Sequence, residues 1–169
     1  DVTQDSELYG RLLLGISYIV TDEKNDSVLR IFRNLLVDGS PGLIISRTNP
    51  NILKSIVGSL NFKTMILTTE KIHGLDNIVS LEELTNNIAE FCEKNPDSII
   101  LLDRIDYLIS NFTFESFIKT MYRVNNIISS SKSSLLLRVN PESLTKFQLS
   151  MLNEEFSFLP GKKLGNIAI

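Results

Sequence analysis

The chain has one cysteine and one histidine among its 169 residues. With Cys92 alone, an intrachain disulfide and any multi-cysteine metal site are excluded, and a reducing compartment is expected. Its neighbours Ile88 and Phe91 put it on an apolar helix face, as an inert core thiol. His73 alone rules out a histidine metal cluster, and its place beside Gly74 marks a solvated loop residue rather than a general base. Long apolar runs are also missing. The longest, such as 12–20, are broken by Gly15 and Ser17 and fall short of the roughly 18–20 residues that span a bilayer. No direct membrane insertion is therefore expected. No charged start leads into an apolar stretch and a small-residue cleavage site, so a signal peptide is not visible. Positive charge is not in excess either: 17 Lys and Arg against 20 Asp and Glu leave a net charge of −3, and no general field recruits nucleic acid. The chain begins with Asp1 and not Met, which is expected of a piece of a longer protein or of a trimmed chain, from which a membrane anchor or sensor could have been lost upstream.

What is present is the hydrophobicity of an ordinary soluble domain, 43% apolar and 22% charged, in a chain long enough to bury one core without staples. Ser98-Ile99-Ile100-Leu101-Leu102-Asp103 is a continuous apolar run ending in an acid, followed by Arg104, Ile105 and Asp106. Such a run is the pattern of a strand buried on both faces of a parallel sheet, with the acid on the carboxyl edge where these sheets bind ligands. In a P-loop nucleotidase that acid would help to hold magnesium. The matching loop needs glycines, a lysine and a Ser or Thr between strand and helix. Here that place holds Thr21-Asp22-Glu23-Lys24-Asn25-Asp26-Ser27, with no glycine and three acids, which would repel a triphosphate. Gly10 and Gly15 have the right mutual spacing, but Ile16 stands for the lysine and the segment precedes the strand.

The rest of the chain alternates strands and helices. Residues 16–20, 43–45, 64–68, 99–102 and 135–139 read as strands, with a short extended segment at Ile78-Val79. Between them, Val28, Ile31, Phe32, Leu35 and Leu36 have helical spacing up to Asp38-Gly39. Asn49-Pro50 starts a helix whose buried face is Ile52, Leu53, Ile56 and Val57. Ser80 and Glu83 form a capping box for a helix with Leu81, Leu84, Ile88 and Phe91. A long helix is expected over 113–128, and Asn140-Pro141 starts a last one with Leu144, Phe147, Met151 and Leu152. This order predicts an α/β fold, a three-layer α/β/α sandwich around a mostly parallel sheet. Residues 1–14 are an N-terminal helix or linker, and 15–169 form a single domain whose tail from Phe156 adds an edge strand or an arm on a partner.

The carboxyl ends of the strands assemble the candidate ligand or partner surface: Asp22, Arg47, Asp103, Asp106 and Arg138. Two endings echo each other, Arg47-Thr48-Asn49-Pro50 and Arg138-Val139-Asn140-Pro141. Each sets an arginine two residues before a capping asparagine, at a helix mouth whose dipole favours an anion. Two such arginines would bind a phosphate or carboxylate; the alternative is that they pair with Asp22, Asp103 or Asp106 in a structural network. Asp103 and Asp106 could share a cation, yet no phosphate partner gives that cation a purpose.

Tyr18-Ile19-Val20, Gly42 to Arg47 with Asn49-Pro50, Leu101 to Ile109 and Val139 to Glu142 resemble the archaeal domain of unknown function 835 family over about residues 15–157. In its Asp-x-x-acid-Tyr-Leu-Ile block the family commonly has Gly and Glu where Arg104 and Asp106 stand here. The resemblance implies a RecA-like fold, a degenerate relative of RecA and KaiC-type ATPases without the nucleotide loop. It also implies a cytoplasmic signalling or interaction role, as the soluble part of a longer, membrane-attached protein, with no enzymatic activity to inherit.

The expected function is thus a non-catalytic protein-interaction or signalling module. It would act on a protein partner or a second copy of itself, with no cofactor, no metal and no catalytic residue. The alternative is an anion or nucleotide sensor at the carboxyl edge that does not hydrolyse its ligand. A cryptic hydrolase built on Asp103 and Asp106 is the weaker one.

Overall fold

The computed structural model describes residues 12–159; of the stretch 1–14 expected as an N-terminal helix or linker only 12–14 fall within them, and these are not helical, while the tail beyond residue 159 lies outside. The elements are β1 Ser17–Thr21, α1 Asp26–Leu35, β2 Gly42–Ser46, α2 Pro50–Val57, β3 Phe62–Leu67, β4 Asn77–Ile78, α3 Leu81–Lys94, β5 Ile99–Leu102, α4 Ile105–Asn111, α5 Phe114–Ser129, β6 Ser134–Val139, a 3₁₀ turn Pro141–Ser143, α6 Lys146–Glu155 and β7 Ser157–Phe158. The strands form one seven-stranded sheet in the order β4-β3-β2-β5-β6-β1-β7. Every pairing is parallel.

Helices cover both faces because both faces of the central strands are apolar. Tyr18, Val20, Ile44, Leu101 and Leu136 turn to one side, where Val28, Leu29 and Phe32 of α1 and Leu53 and Val57 of α2 pack on them. Ile19, Leu43, Ile45, Ile100, Leu102, Leu135 and Leu137 turn to the other, against α3, α4 and α5. Each aliphatic side chain buried in this way contributes roughly 1.5–3 kcal/mol. Gly42 is required by this packing, since a Cβ there would sit 2.6 Å from the ring of Phe32.

Several local expectations are corrected. Ile52 and Ile56 on α2 are 53% and 38% exposed, and only Leu53 and Val57 of that helix are buried. Ser80 caps α3 by accepting from the Glu83 amide, but Glu83 does not return the bond; its carboxylate goes to Lys71 at 2.5 Å. Asn140-Pro141 opens only the 3₁₀ turn, and α6 begins later behind a full capping box of Thr145 and Gln148. Phe147, expected in the core, is 70% exposed. The short helix α4 between β5 and α5 had no counterpart in the sequence reading. Among the described residues no helix is long and apolar enough to cross a membrane.

Candidate functional site

Strand register brings three polar residues into one row. Ile45 pairs with Leu102 and Leu102 with Leu137, so the next residues, Ser46, Asp103 and Arg138, stand side by side at the carboxyl end of β2, β5 and β6. Alternation turns all three toward the α1 side, in line with Ile44, Leu101 and Leu136. The row spans the points where the chain reverses: β1 is followed by a helix on one face, β6 and β5 by helices on the other, and β2 again by one on the first. Parallel sheets leave their crevice at such a switch.

Here the crevice is occupied by the chain itself. Asp103 is 1% exposed and the Arg138 side chain 9%. Arg138 Nε donates to Asp103 Oδ1, which also accepts from the Arg104 amide at 2.8 Å. The second oxygen, Oδ2, accepts from Asn25 Nδ2 and Ser46 Oγ, each at 3.3 Å. Four protein donors therefore hold this carboxylate, the environment that makes a buried charge tolerable. Arg138 Nη1 reaches across to the carbonyl oxygens of Asp22 and Glu23 at 3.1 and 3.3 Å, tying β6 to the turn after β1. Thr48 closes the network: its Oγ1 accepts from Asn25 at 3.3 Å, and its amide donates to Ser46 Oγ at 3.1 Å.

The mouth of α1 is filled as well. Asn25 stands at the N-cap without a capping side-chain bond. Asp22 does that work from three residues upstream: its Oδ2 accepts from the amides of Ser27 and Val28 at 3.0 and 3.1 Å. A helix N-terminus is a ready anion site, and its anion here is an aspartate.

Of the other two candidates, Arg47 lies apart, while Asp106 shares a small cleft with Arg138. Arg47 follows Ser46 and so turns to the opposite face. There its guanidinium stacks 4.5 Å from the Tyr107 ring centroid and donates to the Leu67 carbonyl at 2.9 Å. The Tyr107 hydroxyl beneath is buried with no hydrogen-bond partner among the described residues. Register explains why the echoing motifs do not converge: Arg47 is level with Val139, one step beyond Arg138, and one step reverses the face. Asp106 sits in the first turn of α4, where Arg104 grips it with two bonds of 2.9 and 3.1 Å. Burial pushes the Asp106 carboxyl up, but these bonds, the Arg104 charge, the Tyr107 amide and Arg138 together hold it below the usual aspartate range. Arg104 itself adopts a left-handed backbone, φ 65°, a conformation glycine takes without strain. A small polar cleft of about 160 Å³ opens between Glu23, Arg104, Asp106, Arg138, Asn140 and Ser143.

Sequence reasoning missed Ser46, Asn25 and Thr48, the neutral members of the network. The signal was the alternation of Ile44 and Ser46, which assigns the serine and not Arg47 to the face of Arg138.

A match to the family described as Protein of unknown function (DUF835) spans residues 21–156. No curated protein matches. Among solved structures, the Pyrococcus horikoshii OT3 protein of structural study project PH0250 superposes with a TM-score of 0.61 at 12% identity, covering 92% of this chain and 84% of that one. The flagellar accessory protein FlaH from Methanocaldococcus jannaschii gives a TM-score of 0.58 at 15% identity, covering 91% of this chain and 74% of its own. At such identities the likeness is one of fold: a RecA-like α/β sandwich, as the resemblance in the sequence implied.

Proposed function

We propose, from the premise that the chain belongs to the DUF835 family of proteins of unknown function, that it is a non-catalytic interaction or signalling module, a degenerate RecA-like domain that works through protein contacts. One observation carries this reading: the two positions that a nucleotidase would offer to phosphate and magnesium are taken by internal groups. Asp22 occupies the amides at the mouth of α1. Arg138, with three neutral donors, occupies the carboxylate of Asp103. Magnesium at Asp103 would have to displace a guanidinium that is nine-tenths buried, and a phosphate at α1 would meet a carboxylate of like charge. The reading fits a cytoplasmic domain carried by a longer protein, with no cofactor of its own.

The test is calorimetry with Mg-ATP. No heat of binding is expected up to millimolar ligand; stoichiometric magnesium-dependent binding would sink the proposal. A second reading, a small-anion sensor without hydrolysis, would use the cleft between Glu23, Arg104, Asp106, Arg138, Asn140 and Ser143, where an anion would have to compete with the aspartates that already pair both arginines. Inorganic phosphate titrated in the same instrument separates the two.

A further inference from the structure

One part of the sheet has unpaired backbone. β4 pairs only with Ile66 and Leu67 of β3, and on the side away from β2 no described strand lies beside Phe62 to Met65. Parallel pairing turns successive residues to opposite neighbours. The Ile66 and Thr68 amides donate outward, to Asp76 and Ile78, whereas the Asn61 carbonyl accepts from Gly42 on the β2 side. The intervening residues follow the same alternation, so Phe62 and Thr64 present their N–H and C=O groups to the open side. An edge of this kind is a template for an added strand.

A groove of about 300 Å³ runs along the same stretch, between β3 and α3. Its walls are Lys63 and Met65 of β3, the start of β2 at Pro41 and Gly42, and Glu90 and Phe91 with their neighbours on α3, so it reaches from β3 toward the β2 side. Lys94 is bonded to Glu90 at 2.6 Å, and the two hold each other charged: the Lys94 ammonium is raised and the Glu90 carboxyl lowered, each by the other. Lys63 is exposed and makes no ion pair among the described residues, so its ammonium is available to a carboxylate. The side chain of an added strand level with Lys63 would stand next to it on the α3 face of the sheet, since opposed residues share a face.

We propose that the open edge of β3, with the groove beside α3, binds an extended acidic segment of a partner protein by strand addition. This rests on the interaction-module reading and names the class of partner. The backbone groups of Phe62 and Thr64 supply the pairing, Met65 and Phe91 the apolar contact, and Lys63 the selection for an acid. A second copy of this chain fits worse. The antiparallel register that satisfies both Phe62 and Thr64 centres on Lys63 and sets two ammonium groups directly opposite each other, an arrangement that destabilises a strand pair.

The probe is a fluorescein-labelled Val-Glu-Val-Glu-Val-Glu peptide, measured by anisotropy against its Val-Lys-Val-Lys-Val-Lys counterpart. The acidic peptide is expected to bind at least about tenfold tighter. Thr64→Pro should abolish binding; its amide faces away from β2, so the proline is placed where an edge strand tolerates it. Lys63→Glu should reverse the preference, and tests the proposal even where the proline variant fails to fold. Equal binding of both peptides, binding of neither, an acidic preference that survives Lys63→Glu, or a dimer in sedimentation without peptide affinity would each overturn it. Heat from Mg-ATP on the same preparation would instead sink the non-catalytic reading while leaving the edge result standing.

Discussion

Removing Asp103 would leave the Arg138 guanidinium buried among apolar strands with only two backbone carbonyls to meet it. Breaking one half of a buried ion pair costs about 3–5 kcal/mol, because the remaining charge loses its partner while staying out of water. Asp103→Ala is therefore expected to shift the urea midpoint sharply downward. Adding Arg138→Met to that variant should recover part of the loss, since the double change removes both charges. Strictly additive losses would mean that the two residues do not act as a pair. At this scale the sequence was partly readable. An acid closing an apolar run and an arginine closing another were visible as partners, because both positions follow from strand ends. Their neutral companions Asn25, Ser46 and Thr48 were not, since amide and hydroxyl groups carry no charge pattern and become significant only once the register sets them beside Asp103.

Elements were readable where apolar spacing and capping chemistry agreed. α1 and β5 lie close to where periodicity put them, because the same residues that define the period are the ones buried. Two asparagine–proline pairs looked alike, however, and only Asn49-Pro50 begins an α-helix. Asn140 makes its capping bond to the Glu142 amide, but the chain leaves the helical path at Leu144. The true start of α6 is the reciprocal pair Thr145 and Gln148, with bonds of 3.0 and 3.1 Å. Its Thr-x-x-Gln pattern was present in the sequence and masked by the proline upstream. Thr145→Ala should accordingly cost about 1 kcal/mol, the usual worth of an N-cap. Asn140→Ala should cost less, since it supports one turn rather than a helix. Equal costs by chemical denaturation would contradict this account of where the helix begins.

The whole molecule is a sheet whose centre and edges differ in kind. β2, β5 and β6 are buried along their full length, while β4 and β7 contribute two residues each. Strand order was beyond reach in the sequence, because a parallel sheet separates neighbours in space by whole helices and leaves no local signal of who pairs with whom. The same order decides which backbone groups stay unpaired. Amides of β5 and β6 should exchange with solvent only on global unfolding, and those of the short edge strands by local opening. Along β3 the prediction alternates. Lys63 and Met65 donate toward β2 and should be protected, whereas Phe62 and Thr64 face the open side and should exchange as fast as loop residues. Hydrogen exchange read residue by residue by NMR distinguishes these patterns. Protection of Thr64 equal to that of Met65 would mean that the edge is already covered in the free protein, which leaves no room for an added strand. An alternating pattern that becomes uniform on adding the acidic peptide would show the new strand forming at the backbone groups that the sheet leaves unpaired.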